Sequence, residues 1–350
     1  MTRVDPGNVE QPSHRPRHRS TRPGGAESDL PGVVSDRYQG LPLYAQPSDS
    51  TGPRGICARL PAEALADQAR GPGDGPALPV GRAGRNLPAA IAVSAGLAGM
   101  VVVSLWWYKI AFFCVVFAAA GIGVWEMARA MRSAGRRPPL PPLLLGSGAM
   151  IWLAWQGGVE ALPYGLLGAV VAIVMWRLAE GAAGYQRDVT AAVLIAVYVP
   201  FLAGFAVLLA VPADGHVRVL TMIALVVLSD TGGYAVGVWL GRHPMAPTIS
   251  PKKSWEGFAG SLIAAMTGGA ILMPIIWDME WWRGLLLGLA TAIAAVLGDL
   301  TESMLKRDLG VKDMSGLLPG HGGLMDRLDS ILFAAPTAFV MLSLLTPPGG

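Results

Sequence analysis

LPAAIAVSAGLAGMVVVSLWW, residues 87–107, runs directly into YKIAFFCVVFAAAGIGVWEMA, residues 108–128, joined at Trp106-Trp107-Tyr108-Lys109. Each piece is close to the roughly 20 apolar residues an α-helix needs to cross a hydrocarbon core about 30 Å thick. Working outward, similar segments recur near 140–157, 161–178, 190–211, 218–240, 257–276, 284–303 and 327–345. The expected fold class is therefore an all-α, polytopic integral membrane protein with about nine transmembrane helices. The whole-chain balance agrees: of 350 residues, 52% are hydrophobic and 15% charged, with mean hydropathy +0.46. That excludes an ordinary soluble domain. No internal repeat is visible, so an inverted-repeat transporter finds no support.

Toward the N-terminus the composition changes. Residues 1–86 are rich in Pro, Gly, Ser, Arg and Asp with no sustained apolar period, the composition of a chain that cannot bury enough surface to fold. We expect a disordered cytoplasmic tail over 1–86 and a transmembrane catalytic domain over 87–350. No apolar stretch follows Arg15-Pro-Arg17-His18-Arg19 within signal-peptide distance, which argues against a cleaved secretory signal. Cys57 and Cys114 are too few for a disulfide framework or a four-ligand zinc site, and a net charge of +3 is too small and spread out for nucleic acid.

Basic residues choose the orientation, because short loops rich in Lys and Arg stay inside. Arg129, Arg132, Arg136 and Arg137, then Arg177 and Arg187, then Arg242, Lys252 and Lys253, then the basic run 306–327 fall on one side. The Asp214-Gly215-His216 turn and the aromatic Trp277–Trp282 loop fall on the other. The polar motifs should thus face the cytoplasm of a plasma-membrane protein whose N-terminus is inside and C-terminus outside. Of 27 basic residues only Lys109, Lys252, Lys253, Lys306 and Lys312 are lysine, and four of the five sit in the two longest polar inside segments. A compact ammonium with three rotatable donors suits phosphate oxygens, whereas arginine would serve topology equally well.

Carboxylates near membrane depth are the second pointer, since each costs at least about 2.5 kcal/mol unless paired, solvated or metal-bound. Asp230 is central in Val226-Val227-Leu228-Ser229-Asp230-Thr231-Gly232-Gly233-Tyr234. Asp299, Glu302, Ser303 and Lys306 follow one another at offsets 0, 3, 4 and 7, so one helix face is polar and cannot look at lipid. The densest polar stretch follows: Ser303-Met304-Leu305-Lys306-Arg307, Lys312-Asp313, and Pro319-Gly320-His321-Gly322-Gly323-Leu324-Met325-Asp326-Arg327-Leu328-Asp329. Gly320, Gly322 and Gly323 let backbone N–H groups approach an anion, and the next helix would aim its positive end into the same space. Lys306, Arg307, Lys312 and Arg327 offer cations for phosphates. Asp299, Asp326 and Asp329 offer hard oxygen ligands suited to Mg²⁺. Asp326 and Asp329 share a face at i,i+3, so either is a candidate ligand while the other orients a cation. Taken singly, each feature has a plainer reading: acidic residues complement a helix dipole, glycines punctuate loops, and a lone His321 hydrogen-bonds its loop. The combination is poorly explained that way.

The run Ser303–Asp329 resembles the signature of phosphatidate cytidylyltransferases, the CDP-diacylglycerol synthases, of bacterial and in particular actinobacterial type. Ser229–Tyr234 and Ile249-Ser250-Pro251-Lys252-Lys253-Ser254-Trp255-Glu256-Gly257 are similar to the family as well, and the resemblance spans about 90–345. Arg242, where many relatives carry Lys, and the long tail depart from the pattern; neither touches the signature. The resemblance implies condensation of phosphatidic acid with CTP to CDP-diacylglycerol and pyrophosphate, with Mg²⁺, and with room for a second cation. It implies Asp299 and Asp326 as metal ligands. Lys306, Arg307, Lys312, Asp313, His321, Arg327 and Asp329 would be catalytic, and Asp230, Ser250, Lys252, Lys253, Glu302, Ser303, Gly322 and Gly323 would bind substrate. It also implies a homodimer in membrane lipid with no nucleic-acid partner. Because the lipid phosphate is itself an anionic nucleophile, no Ser or Cys nucleophile is needed. Three competing readings are weaker. A CDP-alcohol phosphotransferase would carry Asp-x-x-Asp-Gly-x-x-Ala-Arg, which is missing here; an ion-coupled transporter using intramembrane carboxylates would not need the Lys/Arg/Gly-rich loop; a scaffold leaves the 299–329 cluster unexplained.

Overall fold

The computed structural model describes residues 87–317 and 322–346, with side chains from Ala95 onward. The expected disordered tail over 1–86 and His321 lie outside the described residues. The helices are α1 (Leu87–Trp107), α2 (Lys109–Ser133), α3 (Leu140–Glu180), α4 (Tyr185–Ala196), α5 (Leu202–Ala210), α6 (Gly215–Leu240), α7 (Trp255–Trp277), α8 (Trp281–Asp308) and α9 (Met325–Leu345). Seven stretches among the described residues are long and apolar enough to cross a membrane, α4 and α5 counting as one, Tyr185–Ala210. Nine were expected. The difference has two sources: 140–157 and 161–178 are the two halves of α3, broken at Gly158 and counted together as one stretch, and the part of α1 with described side chains, Ala95–Trp107, is shorter than a span.

Helix α3 is not straight. Gly158 breaks it at φ 68° and ψ −158°, a conformation open essentially to glycine alone. A Cβ on Gly146 would meet Ala169 Cβ at 2.5 Å, and one on Gly165 would lie 3.0 Å from the Met150 backbone. Residues 146 and 169 would stand about 34 Å apart on a straight helix, so the two halves run antiparallel in contact. Between α4 and α5, Val197–Phe201 forms a π-turn around Pro200, whose missing N–H removes one rung of the α ladder. The turn buries Tyr198 and Val199, and Tyr198 stacks edge-on against Phe333 of α9.

Polar contacts gather at two ends of the bundle. At one end Lys109 Nζ donates to the carbonyl oxygens of Val211 and Pro212, Arg218 pairs with Asp214 at 2.8 Å, Trp277 Nε1 donates to Asp214, and Arg283 donates to the Leu345 carbonyl oxygen. At the other, Arg136 pairs with Asp308 at 2.8 Å, and buried Asp188 accepts from the Arg137 amide and from the Arg177 and Arg187 side chains. From α2 on the helices connect one group to the other, α4 and α5 making one such crossing together and α3 leaving and returning to the second. Glycines set the closest crossings. A Cβ on Gly232 would lie 2.7 Å from the Gly260 oxygen, one on Gly268 2.2 Å from Leu228, and one on Gly269 2.1 Å from the Gly284 oxygen. The small residues Gly260, Ala264 and Gly268 therefore pack α7 against α6 within this chain.

One element is not helical. Between α6 and α7 the strands β1 (Pro244–Ala246) and β2 (Ser250–Ser254) pair antiparallel, with Ala246 opposite Ser250 and Pro244 opposite Ser254. Ser254 then caps α7, its Oγ accepting from the Gly257 amide at 3.1 Å. Glu256 accepts from the amides of Arg242 and His243 and meets His243 Nδ1 at 2.6 Å, which pins the entry of the hairpin.

Candidate active site

The hairpin, α6, α7 and α8 enclose a cavity of about 300 Å³ whose polar lining includes Asp230, Tyr234, Lys252, Lys253, Ser254 and Asp299. Three of its walls are glycines, Gly233, Gly237 and Gly257, where the α6 and α7 backbones nearly touch. A Cβ on Gly233 would stand 2.3 Å from Ser261 Oγ and one on Gly257 3.0 Å from the Gly233 oxygen, so side chains there would push the two helices apart. Lys253 Nζ reaches Asp299 Oδ2 at 2.5 Å, and Ser303 Oγ leans on Asp299 Oδ1 at 3.4 Å. Thus the lysine pair of the loop and the carboxylate of α8, 46 residues apart in sequence (299 − 253), meet in one cavity.

Two turns along α8 from Asp299, Lys306 lies between two carboxylates, donating to Glu302 Oε2 at 2.8 Å and to Asp326 Oδ1 at 2.9 Å. Glu302 is fully buried, and its Oε1 has no hydrogen-bond partner among the described residues. Asp326 Oδ2 accepts from the amides of Met314 and Gly323, at 3.1 and 2.8 Å. Asp329 lies one turn further along α9, its Oδ1 accepting from the Ser330 amide at 2.7 Å. A Cβ on Gly298 would stand 2.4 Å from the Asp329 oxygen, so α8 and α9 touch backbone to backbone beside the site. Arg307 Nε donates to the Ile249 carbonyl oxygen at 3.3 Å, tying the end of α8 to the hairpin loop.

The structure thus assembles Asp230, Lys252, Lys253 and Asp299 around the cavity, with Glu302, Ser303, Lys306, Asp326 and Asp329 alongside. Ser250 is at the start of β2, half-buried. Lys312 and Asp313 are exposed in the loop after α8, Asp313 beside Gly322, whose φ of +79° needs a glycine. Arg327 is exposed on the first turn of α9. The glycine loop behaves differently from the expected phosphate cradle. The Gly323 amide points inward to Asp326, and the next two amides, of Leu324 and Met325, donate to Glu126 of α2. The positive end of α9 is therefore filled by the protein's own carboxylates. Glu126 was not among the expected site residues. The signal was present, since it is an acidic residue closing an apolar span, the same cost argument that singles out Asp230.

A polytopic helical protein that gathers lysines and carboxylates around one cavity has the makings of the class that handles anionic, phosphorylated substrates. The chain belongs to the cytidylyltransferase family, whose model matches residues 88–345. It is 43% identical over 290 residues to the phosphatidate cytidylyltransferase of Mycobacterium bovis, covering 79% of this chain and 95% of that protein. It is 44% identical over 280 residues to that of Mycobacterium leprae, covering 75% and 90%, and 32% identical over 281 residues to that of Haemophilus influenzae, covering 72% and 95%.

Proposed function

We propose that this protein is an Mg²⁺-dependent phosphatidate cytidylyltransferase, condensing CTP with phosphatidic acid to CDP-diacylglycerol and pyrophosphate. The observation that carries the reading is the joining of the Lys253–Asp299 pair with the Glu302–Lys306–Asp326 triad along one face of α8. In-line attack of the lipid phosphate oxygen on the CTP α-phosphorus forms one P–O bond and breaks the α–β P–O bond, so charge neutralisation and alignment are the main demands. Lys252 and Lys253, aided by Arg307, Lys312 and Arg327, would hold triphosphate and lipid-phosphate oxygens. Lys306 would position Asp326 and Glu302, and Asp230, Ser250 and Ser303 would border the bound nucleotide.

The residues present fit a hard divalent cation: the donors are all carboxylate oxygens, and buried Glu302 Oε1 is left without a donor. Among the described residues no three His, Cys, Asp or Glu side chains could hold a metal by themselves. Mg²⁺ commonly takes one or two carboxylates and completes its shell with substrate phosphates and water. Asp299 and Asp326 would hold it, with Glu302 and Asp329 nearby; when bound, the ion would neutralise charge on the departing pyrophosphate. The distribution of arginine and lysine supports an orientation with the site and N-terminus cytoplasmic, and the family resemblance supports a homodimer.

The test is transfer of label from α-³²P-CTP into lipid by purified protein in detergent with phosphatidic acid, with and without Mg²⁺. Labelled CDP-diacylglycerol formed only with Mg²⁺ is expected. No labelled lipid from monodisperse protein, across several acyl chains, would overturn the reading in favour of an ion-coupled transporter.

A further inference from the structure

The start of α9 carries Asp326, Arg327 and Asp329, so whatever fixes that turn fixes the site. Three consecutive amides open the helix, those of Gly323, Leu324 and Met325, and such amides ordinarily form an anion-binding end. All three are occupied. Gly323 donates to Asp326 Oδ2 at 2.8 Å, Leu324 to Glu126 Oε1 at 3.0 Å and Met325 to Glu126 Oε2 at 2.9 Å. Ser315 Oγ donates to the same Glu126 Oε1 at 2.5 Å. Glu126 has no exposed surface and comes from α2, 189 residues before Ser315. One carboxylate therefore ties α2, the loop after α8 and the start of α9 together. Gly323 itself is tightly placed: a Cβ on it would lie 2.9 Å from Glu126 Oε2 and 3.1 Å from Asp326 Oδ2.

We propose that Glu126 is a positioning residue for the transfer reaction, an internal anion that seats the first turn of α9 so that Asp326 stands against Lys306 and faces the cation. This rests on the cytidylyltransfer reading. Among the described residues the hydrogen-bond partners of Glu126 are Ser315, Leu324 and Met325, none of which lines the cavity, and it acts through them on Asp326. By occupying the α9 amides it also directs substrate phosphates to the lysines instead. A glutamine in its place keeps the shape but turns an NH₂ donor toward one of the amide donors, so one of the two amide contacts is lost.

The experiment uses purified full-length protein and measures kcat, KM for CTP, the Mg²⁺ concentration for half activation and the melting temperature. Glu126→Gln should elute like the parent, with kcat lowered at least about tenfold, as for loss of a preorganised polar contact, and with half activation shifted to several-fold higher Mg²⁺. Asp188→Asn is the structural control. It removes an equally buried carboxylate at the same end of the bundle, one that holds Arg137, Arg177 and Arg187 and does not touch the α9 loop. It should lower the melting temperature without moving kcat or the Mg²⁺ requirement. Ser315→Ala, which removes a single contact to Glu126, should shift both in the same direction by less. Parental kcat and Mg²⁺ dependence in Glu126→Gln, or in Ser315→Ala if Glu126→Gln does not fold, would overturn the proposal; so would Asp188→Asn reproducing both changes. A parent protein that transfers no cytidylyl group would overturn this proposal together with the function it rests on.

Discussion

Lys306 is the side chain on which most of the site turns, because removing it strands two carboxylates at once. Glu302 is fully buried and Asp326 nearly so, and both now meet the same ammonium. An unpaired buried charge is far more expensive than a lost pair. Lys306→Ala should raise the barrier by about 3 kcal/mol, roughly 10²-fold in kcat, with a drop in melting temperature. Lys306→Arg should restore the charge but not the fit, since a planar guanidinium cannot sit where two oxygens at 2.8 and 2.9 Å surround a point donor; steady-state kinetics of the two variants checks both. At this scale much was legible in the sequence. Asp299, Glu302, Ser303 and Lys306 share a face by helical period alone, and all four are found together. What Gly323 and the first amides of α9 bind was not legible, because their partner, Glu126, arrives from about 200 residues away and no local spacing encodes it.

Helices in this protein meet through glycine, and the meeting points are separable from the chemistry. Gly269 and Gly284 approach so closely that a Cβ on either would lie within about 2 Å of the other's carbonyl oxygen, near the end of the bundle away from the cavity. Gly284→Leu should therefore cost 1–3 kcal/mol or more by overpacking, read as a lower melting temperature in detergent. Gly158→Ala should cost about 1–3 kcal/mol for a different reason, a backbone conformation closed to L side chains. The paired Gly157-Gly158 in the sequence marks where 140–157 ends, and the packing of Gly146 on Ala169 shows the chain folding back there. The hairpin Pro244–Ser254 was invisible to periodicity because its strands are three and five residues long and contain proline. At the opposite end, burial tends to push the Asp214 carboxyl up, but hydrogen bonds from Arg218 and Trp277 outweigh it and hold the carboxyl below the usual range. A lowered folded pKa contributes stability above the unfolded value, about 3.9, that is lost as pH falls toward the folded one. Asp214→Asn should accordingly lower the melting temperature at pH 7, with the gap to the parent closing below about pH 4.

For the whole molecule, hydropathy gave the class and the basic residues gave a direction, and the two can be checked together. In a background with Cys57 and Cys114 changed to serine, Lys312→Cys should be shielded from a membrane-impermeant thiol reagent in intact cells, while Asp278→Cys should react; the reverse pattern would invert the topology. Removing residues 1–81 should leave the melting temperature and turnover unchanged, since every contact described in the site lies between 126 and 330. Length and apolarity separated 140–157 from 161–178, the two halves of α3, but could not say which pocket the polar helix faces would share. The central claim is that the carboxylate and lysine groups on α8, β2 and α9 perform metal-dependent cytidylyl transfer. Its most direct test is labelled CDP-diacylglycerol formation against Mg²⁺ concentration for the parent, Asp299→Asn and Asp326→Asn. The account predicts Mg²⁺-dependent product from the parent and loss of most turnover in both well-folded variants. Full Mg²⁺-dependent turnover in both variants would contradict it.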